Sequence, residues 1–224
     1  MALNKLKFNS LNVTPVANKA VGFNSSADGL EATLEGGNLR LIKKLTASSS
    51  STLSFVDGSS DVVLDNTYKE YLFIFTNIHS SGGGDDYWFG FQASTDGGSN
   101  YNTTVTSNIY AAYNAEGGGL HRTFNFRQQS TFSLGQETGL QRLCYQQNND
   151  NQIAASGILH IFDPSSTTFM KHFIARGQTE GYTNYAHTLD VGGYFNTTSA
   201  IDAFQFKMNS GNIDAGTITL YGIN

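Results

Sequence analysis

Residues 203–224 read AFQFKMNSGNIDAGTITLYGIN. Phe204, Phe206 and Met208 alternate with Gln205 and Lys207, and Asn209, Ser210, Gly211 and Asn212 follow as turn formers. A second alternating run covers Thr217, Ile218, Thr219, Leu220 and Tyr221. Period-two alternation marks strands with one buried face, and the Asn/Ser/Gly/Asp cluster marks their connection. The two runs are expected to pair as the last strands of a sheet. That locks this end of the chain into the fold, so a tether to a larger body is expected from the other end.

The same signal recurs upstream. Strands are expected at LRLIKKLT, STLSFVD, EYLFIFTNIH, YWFGFQAS, HRTFNF, GLQRLCY, SGILHIFD and TTFMKHFIA, with a further segment near VGGYF. EYLFIFTNIH is apolar on both faces, Tyr71, Phe73 and Phe75 on one and Leu72, Ile74 and Thr76 on the other, as a central strand requires. Asp96-Gly97 is a hairpin signal. No amphipathic helix interrupts the run, which is the pattern of a sandwich or barrel. Two sheets with aromatic rings interdigitating between them account for the 16 Phe, since each ring buries roughly 150–250 Å². No period of about 20–50 residues repeats, which argues against a solenoid or propeller. Residues 1–38 lack sustained periodicity and read as an extended arm; residues 39–224 read as the β domain.

The 224 residues are 39% hydrophobic but only 14% charged, so Ser, Thr, Asn, Gln and Gly must form the surface. Such a surface suits an extracellular or virion protein. The net charge of −5 argues against a nucleic-acid partner. It is unevenly spread: residues 1–45 hold six basic and three acidic side chains, the rest seven basic and fifteen acidic. A basic front on an acidic body suggests different partners for the two parts. The single Cys144 excludes an internal disulfide framework and reads as a small buried hydrophobe. No secretory h-region and no membrane span of about 20 apolar residues is visible, so the expectation is synthesis in a host cytoplasm without a signal peptide and no membrane insertion.

Motifs for chemistry are sparse. The loops SSGGGDD (80–86) and NAEGGGLH (114–121) lack the Lys and helix N-terminus of a phosphate cradle. His79, His121, His160, His172 and His187 show no zincin spacing. His160 and His172 approach each other if their strands pair across DPSSTT, although partners such as backbone or Tyr suit them better than a metal. Asp85/Asp86 and Glu116/Glu137 are the carboxylates from which a glycosidase pair could be drawn, and Asp57, Asp61 and Asp65 are not spaced as a calcium loop. No G-x-S-x-G elbow occurs. The chain calls for no cofactor, no metal and no enzymatic activity. Aromatic residues near the Gly-rich loops, Tyr87, Trp88 and Tyr113 with Asp86 beside them, form a candidate glycan face. Trp88 alternates with Gly90 and Gln92, opposite to Phe89 and Phe91, which directs it toward solvent.

Several stretches together carry a resemblance: SSADGLEATLEGGNLRLIKKLTASSSSTLSF, NTYKEYLFIFTNIH, QASTDGGSNYN, SGILHIFDPSSTTFMKHF and GGYFNTTSAIDAFQFKMNSGNIDAGTITLYGI. Over essentially the whole chain it resembles a family of virion-associated proteins encoded by marine tailed phages, most specifically in the closing SGNIDAGTITLYGI. The resemblance implies a jelly-roll-like antiparallel β-sandwich on the phage particle, as a capsid decoration protein or a tail or fibre component, commonly trimeric. It transfers no catalytic residue. The implied partner is the major capsid protein or another virion component, bound through the N-terminal arm by Leu3, Lys5, Leu6, Lys7, Phe8, Val13, Val16, Val21 and Phe23. The alternative is a tail or fibre protein that binds host glycan, with a polysaccharide hydrolase the least favoured.

Overall fold

The structure is a computed structural model, and it describes residues 20–24, 26, 28–34, 38–84, 86–117, 122–126, 132–181 and 184–224. The docking residues Leu3, Lys5, Leu6, Lys7, Phe8, Val13 and Val16 lie outside the described residues. Strands in chain order are β1 (Ala20–Phe23), β2 (Leu30–Leu34), β3 (Leu39–Thr46), β4 (Leu53–Val56), β5 (Glu70–Ser80), β6 (Phe89–Ser94), β7 (Val105–Ala115), β8 (Arg122–Phe126), β9 (Gly135–Glu137), β10 (Gln141–Arg142), β11 (Ala155–Phe162), β12 (Lys171–Gly181), β13 (Tyr185–Phe195), β14 (Ala203–Met208) and β15 (Ile213–Ile223). No helix among the described residues is long and apolar enough to cross a membrane. The chain divides into two compact units, Met1–Arg40 and Leu41–Asn224.

In the first unit the described backbone of β1 and β2 is extended and paired. β1 and β2 form an antiparallel hairpin, with Phe23 opposite Leu30 and Gly22 opposite Glu31. The Asn24 side chain closes the loop: its Nδ2 donates to Asp28 Oδ1 (2.8 Å) and its Oδ1 accepts from Asp28 N (3.1 Å). Strands of four and five residues are too short to show a period in the sequence, and the loop closure is a side-chain effect.

The second unit is an antiparallel β-sandwich with jelly-roll order. Four strands form one sheet, β10-β6-β14-β4, and nine the other, β3-β15-β5-β11-β12-β13-β7-β8 with β9 on β7. Set aside β7–β9 and β12–β13, and eight strands remain. Numbered along the chain, they run 1-8-3-6 in the large sheet and 2-7-4-5 in the small one. Consecutive strands thus change sheets repeatedly, as in a double Greek key. β12 pairs with β11, β13 with β12 and β7 with β13, so the two insertions extend the large sheet well past the small one.

This order corrects the expected terminal hairpin. β14 pairs with β6 and β4, whereas β15 pairs with β5 in the other sheet, and Asn209–Asn212 is the corner between them. Both strands alternate because both face one core from opposite sides. Alternation reports the buried face of a strand and is silent on its neighbour. Asp96-Gly97 is likewise a corner, from β6 to β7, in which Ser94 Oγ, Asp96 and Asn100 bond to one another and to the turn's backbone.

Between the sheets lies a plate of phenylalanines. Phe73 contacts Phe55, Phe204 and Phe206 at 5.2, 5.4 and 5.1 Å between ring centroids. Phe75 meets Phe89, and Phe91 meets Phe173 and Phe195. β5 is central, between β15 and β11, and its two-sided apolar sequence fits that place.

Candidate functional site

A four-stranded sheet cannot cover a nine-stranded one. The inner face of β12, β13 and β7 beyond the Phe plate needs another lid, and the described part of the segment from Phe132 to Ile153 supplies it. Phe132, Leu134, Leu143, Cys144, Gln147 and Ile153 are all buried. Backbone–backbone bonds fasten the lid to the start of β6: Leu143 N and Cys144 N donate to Phe89 O, and Gln147 N donates to Tyr87 O at 2.8 Å. The lid presses on β12 at Gly177, where a Cβ would stand 2.0 Å from Leu143 O; only glycine permits that approach.

A groove of about 500 Å³ opens where the lid meets the small sheet, lined by Asp86, Trp88, Phe132, Leu134, Glu137, Gly139, Leu140, Arg142, Tyr145 and Asn209. Its geometry follows from register. Arg142 on β10 pairs with Gly90 on β6, so it shares the outer face of the small sheet with Trp88 and Gly90. Gly90 has no side chain to stand between them. The Arg142 guanidinium carbon then sits 4.3 Å from the Trp88 ring centroid, 3.9 Å from that of Phe132 and 5.1 Å from that of Tyr145. Arg142 is only 5% exposed, a placement that cation–π attraction to three rings favours.

Asn209 holds the Trp88 end. Its Oδ1 accepts from Trp88 N (2.8 Å), its Nδ2 donates to Asp86 O (2.6 Å), and its backbone N donates to Trp88 O (3.0 Å). Past Tyr145 the aromatic series continues inward, through buried His187 (5.7 Å) to Tyr113 stacked on it (5.7 Å) and Tyr185 (5.8 Å from Tyr113).

Of the candidate glycan residues, then, Asp86 and Trp88 share the groove. Tyr113 stands at the far inner end of the aromatic series. Tyr87 is not in the groove lining; its ring lies where a Cβ on Gly82 would fall, 2.5 Å away. Sequence reasoning missed Arg142, Phe132, Tyr145 and Asn209, and named Glu137 only as a partner for Glu116. The available signal was an arginine embedded in the apolar run LQRLCY, which asks what satisfies a buried charge.

The other chemical candidates fall apart in space. Glu116 lines a separate cleft with Glu180 and Tyr185, away from Glu137. β11 and β12 do pair, but His160 Nδ1 lies 2.5 Å from Glu70 Oε1 while exposed His172 faces the Tyr194 ring at 6.1 Å. His79 lies 3.4 Å from Asp214. His121 and Asp85 lie outside the described residues. Asp57 and Asp65 each accept a backbone N–H, from Leu64 and Thr67. Among the described residues no group of three or more His, Cys, Asp or Glu is placed to hold a metal ion.

Three buried groups have displaced pKa values, and burial raises that of the Tyr71 hydroxyl. Burial pushes the Cys144 thiol well above its ordinary value. Burial lowers that of Lys171, whose Nζ donates to the carbonyls of Thr197 (3.1 Å) and Ser199 and so ties the loop after β13 to β12.

The chain matches no protein-family model, no curated protein and no solved structure.

Proposed function

We propose that this chain is a structural protein of a phage particle, a head-surface decoration protein docked through its N-terminal unit with the jelly-roll unit carried outside. One observation supports this reading above others. The N-terminal residues form a separate compact unit, and its hairpin leaves apolar side chains in the open: Phe23 is 71% exposed, with Val21 and Leu30 also exposed. Uncovered large hydrophobes are typical of a surface that meets a partner. Val21 and Phe23 are the described members of the proposed docking set, and the partner is the major capsid protein or a neighbouring virion component. The same reading expects a homotrimer, checked by sedimentation equilibrium. Deleting residues 1–38 tests the docking: the body should stay folded by circular dichroism and no longer associate with particles. Decoration at full occupancy by the truncated protein overturns the reading.

A second reading, a tail or fibre component that binds host glycan, is favoured by the Trp88 groove. Quantitative mass spectrometry against the shell protein separates the two, since decoration requires many copies per particle and a tail or fibre few.

A further inference from the structure

We infer that the Trp88 groove binds an uncharged saccharide and discriminates against anionic ligands; this rests on the glycan-binding reading above. The charges in the groove disfavour anions. Asp86 and Glu137 place two carboxylates on its wall, and these repel uronates, sialosides, sulfated sugars and phosphates. Arg142, held beneath Trp88, Phe132 and Tyr145, puts a fixed positive charge under the same rings. The guanidinium thus already occupies one side of these rings, and a ligand is left the open face of the indole.

What satisfies the remaining surface is a neutral ring with an apolar face and hydroxyl donors. The carboxylates of Asp86 and Glu137 are acceptor-only and suit paired hydroxyls. The half-buried indole of Trp88 offers a flat apolar surface, with its backbone fixed through Asn209 before any ligand arrives. The Asn209 side chain is already bonded at both ends, so the hydrogen-bonding specificity belongs to the two carboxylates. A volume of about 500 Å³ lies within the range of small-ligand pockets.

Trp88 is the sole tryptophan, so its emission reports this groove alone. The full chain is titrated with maltopentaose, cellopentaose, mannopentaose and penta-N-acetylchitopentaose, and in parallel with pentagalacturonate and sialyllactose. At least one neutral probe should shift the emission saturably, and the acidic probes should bind at least about tenfold more weakly. Calorimetry on Glu137→Gln, a change at an exposed position, should show that neutral probe weakened by about tenfold, as loss of one charge-assisted hydrogen bond implies. Trp88→Phe should retain part of the affinity and Trp88→Ala none, each checked for fold by circular dichroism. Tighter binding of an acidic probe overturns the neutral assignment and leaves glycan binding standing. Saccharide binding that survives both Trp88→Ala and Glu137→Gln places the site elsewhere and overturns the groove. Absence of binding to every probe, with a glycan array equally blank, overturns the glycan reading together with this inference, while particle docking is tested separately by the deletion of residues 1–38.

Discussion

Replacing Phe73 by Ala is the sharpest test of how the two sheets are held together. Phe73 lies on β5 in the large sheet, is fully buried, and touches three rings of the small sheet, Phe55, Phe204 and Phe206, at 5.1–5.4 Å. Phe-to-Ala truncation in a core costs about 3–5 kcal/mol, the sum of lost transfer energy and the cavity left behind. Relaxation into this cavity is hindered, because its walls are rings anchored on two different strands, β4 and β14. The upper half of that range, about 4 kcal/mol, is therefore expected. For a chain of this size about 1 kcal/mol moves Tm by roughly 2–4 °C, so Tm should fall by about 8–16 °C. Phe169→Ala is the control: Phe169 is 70% exposed, and its loss should stay within about 0.5 kcal/mol. Urea denaturation followed both by Trp88 emission and by far-ultraviolet circular dichroism measures the difference. Phe73→Leu, which keeps most of the volume, provides a milder variant if the alanine form fails to fold. A loss below about 1 kcal/mol for Phe73→Ala, or one equal to that of Phe169→Ala, would show that the Phe plate does not join the sheets.

Three further outcomes follow from local chemistry. Gly177→Ala forces a Cβ to 2.0 Å from the Leu143 carbonyl, a backbone atom that cannot swing aside, and should cost more than about 2 kcal/mol, whereas Gly117→Ala meets open space and should be near neutral by the same urea assay. Hydrogen bonds from the Asn100 side chain and backbone hold Asp96 below the usual carboxylate value, and those from Thr67 do the same for Asp65. With depressed folded values, their stabilisation is complete above the unfolded pKa of about 3.9 and is lost as pH falls through the folded values; urea midpoints should drop below that pH, and less steeply in Asp96→Asn. Cys144, fully buried with its thiol pKa raised by burial, should ignore a thiol reagent in the native protein and react fully in denaturant; fast native labelling would mean that the lid opens readily.

What the sequence disclosed and what it hid divide along a physical line. Buried faces were legible, because burial imposes period two on a single strand: Tyr71, Phe73 and Phe75 face the core of β5, and Phe204, Phe206 and Met208 that of β14. β7 carries the same mark, with Val105, Ile109 and Ala111 buried, but polar Thr106, Ser107, Asn108 and Asn114 mask it in composition. Strand neighbours were not legible, since pairing is a relation between distant segments and the corner after β14 uses the same Asn, Ser and Gly that a hairpin uses. The groove was half legible for the same reason. Trp88 announces itself by alternating with Gly90 and Gln92, but Arg142 becomes its neighbour only through the register of a two-residue strand. That strand is the fifth of the eight jelly-roll strands, and the insertions of β7–β9 and β12–β13 widen the opposite sheet, whose added inner face the lid around β10 covers. The Phe132 side of the groove is thus a consequence of unequal sheets. A jelly roll without those insertions would keep Arg142 of β10 beside Trp88 but lack Phe132, which lies between β8 and β9 and closes the other side of the guanidinium.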